Sequence, residues 1–175
     1  QDLVAIIYEM DKVEPIGFDV YIDSPLGHSI SKEWRKLIST SSELWDEIIN
    51  SNLFNWVNDF EETQRLVKSK KPMLVLAGGG MLSGGKAVYW CKENLSNPYN
   101  YIIFSGFATS DSIAGQLKSG KLKEIKIDGK KCKNNAKILS LNSLSSHMDN
   151  KHLLEYYTNV GYNKICLVHG EENGK

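Results

Sequence analysis

The stretch Pro72–Leu95, PMLVLAGGGMLSGGKAVYWCKENL, constrains this chain more than any other. Pro72–Ala77 is a short apolar run between turn formers, the pattern of a buried strand. Gly78, Gly79 and Gly80 follow, then Met81-Leu82-Ser83, then Gly84 and Gly85. From Lys86 the period changes, with Val88, Cys91 and Leu95 at helical spacing. The predicted unit is strand, glycine loop, helix. Such a loop brings backbone close to a ligand, and the helix N-terminus offers unpaired N–H groups to an anion. A tight turn with no ligand would use the same glycines. Gly80, Gly85 and Lys86 also satisfy G-x-x-x-x-G-K. However, Ala87 stands where a P-loop needs Ser or Thr for magnesium, and no later strand ends in an obvious Walker-B aspartate.

On either side of this unit the chain alternates between element types. Leu3, Val4, Ile7 and Met10 mark a helix face, and Phe18–Ile22 reads as a strand ended by Asp23-Ser24-Pro25. Ile30, Trp34, Leu37 and Ile38 follow a helical stripe. Thr40 with Glu43, and Asp59 with Glu62, have capping-box spacing around an irregular Asn50–Asn58. Tyr101–Phe104 is a third strand, followed by a short helix around Ile113–Leu117 with Gly120 as its stop. Leu122, Ile125 and Ile127 alternate up to Asp128-Gly129, a hairpin signal, with the return strand expected in Ala136–Leu141. A polar loop, a helix carrying Leu153, Leu154, Tyr157 and Val160, and a buried strand Ile165–Val168 complete the reading. Alternation of this kind predicts an α/β fold, a mostly parallel sheet with helices on both faces. Ligands gather at the carboxyl ends of such strands, where Asp23, the glycine loop, Gly106-Phe107 and His169 all fall.

Composition narrows the setting. Lys plus Arg and Asp plus Glu both number 21 in 175 residues, so net charge makes no case for or against nucleic acid. Lysines crowd between Lys118 and Lys133, which reads as a solvated surface. Cys91, Cys132 and Cys166 are odd in number and lack a metal spacing, as expected of reduced thiols in a reducing compartment. No stretch has the length of a membrane span and no signal-peptide pattern is present, so the expectation is a cytoplasmic protein without membrane contact. The chain begins in what reads as mid-helix, as a piece of a longer protein would.

His147 and His169 are the strongest candidates for chemistry. His147 lies in Ser145-Ser146-His147-Met148-Asp149, a loop able to present an imidazole and hydroxyls to a phosphate. His169 ends a predicted strand and precedes Gly170, an arrangement that exposes an imidazole for metal binding or acid–base work. Either could equally be a hydrogen-bonded structural histidine. No H-x-H-x-D-H or H-E-x-x-H cluster accompanies them.

Asp23-Ser24-Pro25-Leu26, Gly80–Gly85, Phe104-Ser105-Gly106-Phe107, Ser145–Asp149 and Leu167-Val168-His169-Gly170-Glu171 occur in one order. That ordered set resembles the β-CASP nucleases of the metallo-β-lactamase superfamily, across nearly the whole chain. The resemblance implies a zinc-dependent ribonuclease hydrolysing RNA phosphodiester bonds, with two zinc ions in the complete protein and none held by this piece alone. It implies a β-CASP domain over residues 1–128. Residues 129–175, a hairpin, helix and strand, would return to the metallo-β-lactamase part, whose N-terminal portion would be the partner of this chain; a homodimer is a further option. His147 resembles a motif histidine beside the scissile phosphate, and His169 a zinc ligand. Gly80, Gly84, Gly85, Lys86, Ser145, Ser146, Asp23 and Ser24 would line the RNA path. The chain departs from the family in lacking the main histidine cluster. Relatives often carry arginine where it has Lys86, Gln116 and Asn135, and each change removes a bidentate phosphate donor. The alternatives are a non-catalytic nucleic-acid-binding module and a P-loop-like nucleotide binder.

Overall fold

The computed structural model describes residues 2–37, 42–141, 144, 148–162, 164 and 166. It divides into two compact units, residues 1–144 and 145–175. The first unit runs α1 (Asp2–Val13), β1 (Asp19–Asp23), α2 (Pro25–Leu37), α3 (Ser42–Asn50), β2 (Phe54–Trp56), α4 (Phe60–Val67) and β3 (Met73–Ala77). It continues through α5 (Lys86–Asn94), β4 (Tyr101–Phe104), α6 (Ile113–Lys118), β5 (Glu124–Ile127), β6 (Lys130–Lys133) and β7 (Lys137–Ser140).

β1 is the centre of a parallel three-stranded sheet in the order β2-β1-β3. Val20 pairs in register with Phe54 on one side and Leu74 on the other. Successive side chains of a strand face opposite ways. Val20 and Ile22 therefore share one face, where they join Ile7 of α1 and Trp45 and Ile48 of α3 in one apolar cluster. Asp23 turns to the other face and meets α4 and α5. Helices thus cover both faces, as the alternation of elements predicts.

A second cluster gathers Leu82, Cys91, Leu95, Phe104, Leu117, Ile125, Ile127 and Cys132. Leu95 and Leu117 are fully buried, and full burial of a leucine stabilises a fold by about 1.5–3 kcal/mol. Burial also pushes the Cys91 thiol up from 9.0 to about 12, with Cys132 adding in the same direction. A thiol whose folded pKa lies above its unfolded one stabilises the fold fully at low pH and loses that contribution as pH rises between the two values. Urea unfolding from pH 9 to pH 12 should therefore show a steeper loss of stability for the parent chain than for Cys91→Ala.

Two expectations need correction. The return strand of the hairpin is Lys130–Lys133, paired antiparallel with β5, and not a segment of Ala136–Leu141. Asp128 and Gly129 both have positive φ, 47° and 77°. That is the two-residue type I′ turn, which reverses the chain at once. β7 instead pairs in parallel with β4, Ile102 opposite Ile138. The segment Asn50–Asn58 is likewise not wholly irregular, since Phe54–Trp56 adds an edge strand to β1.

Local end signals behave as their residue types require. Ser24 caps α2 through Oγ, which accepts from the Gly27 N–H at 3.1 Å, and Pro25 takes the first helical position. Asp59 caps α4, its Oδ1 accepting from the Glu62 N–H at 2.7 Å, while Glu62 accepts from the Asn58 N–H at 3.0 Å. Asp59→Ala should cost about 1 kcal/mol in urea unfolding. The Thr40–Glu43 box includes Thr40, which lies outside the described residues.

In the second unit α7 (Asn150–Asn159) starts at an Asp149 cap, whose carboxylate also meets His152 Nδ1 at 2.8 Å. The helix forms as predicted but buries none of its residues. The expected strand Ile165–Val168 lies outside the described residues, apart from Cys166.

Candidate functional site

The parallel sheet ends in the residues singled out above. Asp23 pairs in register with Ala77, so the last residue of β1 lies beside the last residue before the glycine loop. Ser24 reaches the same place: a Cβ on Gly78 would sit 2.9 Å from Ser24 Oγ. The loop closes on itself through two backbone bonds, Leu82 N–H to Gly79 O at 2.9 Å and Ala87 N–H to Gly78 O at 3.0 Å. Gly79 and Gly85 take φ of 104° and 79°, conformations that side chains other than glycine rarely adopt. Leu82, with φ 57°, is held there by burial in the second cluster. Gly80 and Gly84 face open space, since a Cβ added at either meets nothing within 4 Å.

Lys86, the first residue of α5, does not reach towards the loop as a P-loop lysine would. Its Nζ donates to Thr63 Oγ1 at 2.7 Å and lies 3.3 Å from Asp23 Oδ1. Asp23 Oδ2 accepts from Thr63 Oγ1 and from Trp90 Nε1, each at 2.8 Å. Asp23 Oδ1 makes no hydrogen bond, so the ammonium balances its charge without the alignment of one. Asp23 and Thr63 are fully buried, and the Lys86 side chain is 20% exposed. This cluster ties β1, α4 and α5 together beneath the loop. The Lys86 ammonium is thus held by Thr63 and Asp23, away from the place a P-loop lysine takes beside the phosphates.

Beside the loop lies a cleft of about 490 Å³, bounded by Phe60 of α4, Gly84, Gly85, and Tyr89 and Lys92 of α5, with Asp128 at the hairpin tip. Lys92 Nζ donates to Asp128 Oδ2 at 2.8 Å. That bond lowers the Asp128 carboxyl pKa and raises that of Lys92.

The structure therefore brings Asp23, Ser24, Gly80, Gly84, Gly85 and Lys86 to one end of one sheet. Ser145, Ser146, His147 and His169 lie outside the described residues. Thr63 and Trp90 are structural partners that sequence reasoning missed. Trp90 carried a signal, standing four residues after Lys86 and so on the same helix face; Thr63 carried none. No group of three or more His, Cys, Asp or Glu able to hold a metal occurs among the described residues, so these residues alone do not fit a zinc site. Among them, too, no helix is long and apolar enough to cross a membrane.

The family model described as the Beta-Casp domain matches residues 1–117. Ribonuclease TTHA0252 of Thermus thermophilus is 26% identical over 98% of this chain and 41% of its own length. Transcription termination factor FttA of Methanocaldococcus jannaschii is 31% identical over 99% of this chain and 29% of its own. The FttA of Methanococcus maripaludis is 30% identical over 98% and 29%. The chain thus spans less than half the length of these curated relatives. With a family model matched over residues 1–117, most of its length, the chain belongs to the Beta-Casp domain family.

Proposed function

We propose that this chain is the RNA-clamping part of a zinc-dependent, metallo-β-lactamase-fold ribonuclease working in the cytoplasm. The observation that carries the reading is the glycine loop. It stands at the carboxyl end of a parallel sheet, is held from below by Asp23, Thr63 and Lys86, and is open above at Gly80 and Gly84. Backbone without side chains can approach a phosphodiester strand closely, and such contacts position the strand without reading its sequence. In this reading Gly80, Gly84 and Gly85 line the RNA, and Asp23, Ser24 and Lys86 hold the loop that does so. Ser145 and Ser146 contact phosphate, and His147 sits beside the scissile one. His169 contributes one zinc ligand, and the remaining donors belong to the metallo-β-lactamase part. The names of the relatives, a ribonuclease and transcription termination factors, support RNA as the substrate class.

The test is cleavage of a labelled single-stranded RNA by the full protein. Cleavage should stop on chelation and return with zinc. His147→Ala should slow it by about 100-fold or more, the usual effect of losing a positioned proton-transfer group, with RNA affinity and zinc content unchanged. Cleavage that persists in excess chelator would refute the metal-dependent reading. RNA binding with no cleavage under any metal would favour a non-catalytic clamp.

A further inference from the structure

We propose that the cleft beside the glycine loop is a base-stacking subsite for single-stranded RNA, with Phe60 and Tyr89 as its aromatic wall. The inference rests on the reading that the chain handles RNA, and goes beyond it by assigning residues that the family motifs do not include. Phe60 is the first residue of α4, so the Asp59 cap fixes where its ring emerges. It stays 47% exposed although large and apolar. Tyr89 lies on α5, three residues beyond Lys86 and so on the same side of the helix. The two ring centroids are 5.1 Å apart at an interplanar angle of 65°, an edge-to-face pair that fixes both rings in place.

Each ring has its own ammonium. Lys86 Nζ lies 4.9 Å from the Phe60 centroid and Lys92 Nζ 5.5 Å from that of Tyr89. Both ammoniums are already paired, Lys86 with Asp23 and Lys92 with Asp128, so they steady the rings by cation–π contact and leave stacking on the aromatic faces, which every base offers, to hold the strand irrespective of sequence. The remaining walls suit a flat, polar-edged guest. Gly84 and Gly85 leave the loop side without bulk, and the Lys92–Asp128 pair presents both a donor and an acceptor to a base edge. The volume of about 490 Å³ admits a nucleobase. A paired base keeps both faces inside its stack, so the subsite selects unpaired RNA.

The experiment measures binding by the full protein of a fluorescent single-stranded RNA and of a blunt RNA duplex. Phe60→Leu and Tyr89→Leu keep apolar bulk and remove the ring, and thermal unfolding shows that each variant is folded. Both should weaken single-strand binding by about 5- to 150-fold, the range for a lost base–aromatic stack. Phe60→Trp should bind within about twofold of the parent, and duplex binding should be nearly the same in all variants. A 2-aminopurine in the strand should be quenched by the parent and less by Phe60→Leu. If the parent binds the single strand and both leucine variants match it, the subsite is wrong while the RNA reading stands. If the parent binds neither RNA, the RNA reading itself fails and the subsite with it.

Discussion

Lys86→Met should destabilise the fold by about 3–5 kcal/mol, the cost of leaving one partner of a buried ion pair alone. Methionine keeps most of the apolar stem and removes only the ammonium. Asp23 would then stand fully buried, with Oδ1 lacking both a hydrogen bond and a counter-charge. Thr63 would lose its donor from Lys86 while still donating to Asp23. The residual exposure of Lys86 lets water reach the gap, which places the expected value at the lower end, about 3 kcal/mol. In a protein of this size that lowers Tm by about 10 °C. Asp23→Asn removes the charge and keeps the shape, so the double variant Asp23→Asn, Lys86→Met should recover at least half of the loss. Urea unfolding of the four proteins forms a double-mutant cycle that isolates the pair. A Lys86→Met protein within about 1 kcal/mol of the parent would show that Thr63 and Trp90 alone satisfy Asp23.

The second large effect separates two glycines of the same loop. Gly79→Ala should cost about 3 kcal/mol or more. Its φ of 104° is strained for any side chain, and the added Cβ would collide with the backbone carbonyl of Gly84, which no side-chain rotation relieves. The loop must open to admit it, so RNA binding should fall along with stability. Gly84→Ala should stay within about 0.5 kcal/mol of the parent, because its Cβ meets nothing. A larger group there, as in Gly84→Trp, should weaken RNA binding with little change in Tm. Equal stability losses at the two positions would contradict the loop geometry.

The two units differ in how much sequence reasoning could reach. In the first, three local signals lie where the elements turn or end: Asp59 at α4, Asp128-Gly129 between β5 and β6, Gly120 after α6. In the second, the α7 pattern predicts a helix correctly, but the residues meant for chemistry, His147 and His169, fall outside the described structure. The family motifs located the glycine loop and Asp23 without showing what joins them. Phe60 and Tyr89 went unnoticed because an aromatic residue on a helix reads as core until its exposure is known.

Capping, turn type and helical period are decided within a few residues, by sterics and by hydrogen bonds the chain makes with itself, and so they are written locally. Strand partnership is not. β7 has the apolar pattern of a hairpin's second strand, yet it pairs with β4, because the Asp128-Gly129 turn had already supplied β5 with a nearer partner. The same holds for the buried cluster. Asp23 meets Thr63 across 40 positions and Trp90 across 67. No local pattern reports such a contact, since it exists only once the sheet has brought β1, α4 and α5 together and excluded water from between them. The glycines of Pro72–Leu95 announced a loop. Its support by a lysine turned inward, and its opening onto an aromatic cleft, are properties of the folded molecule.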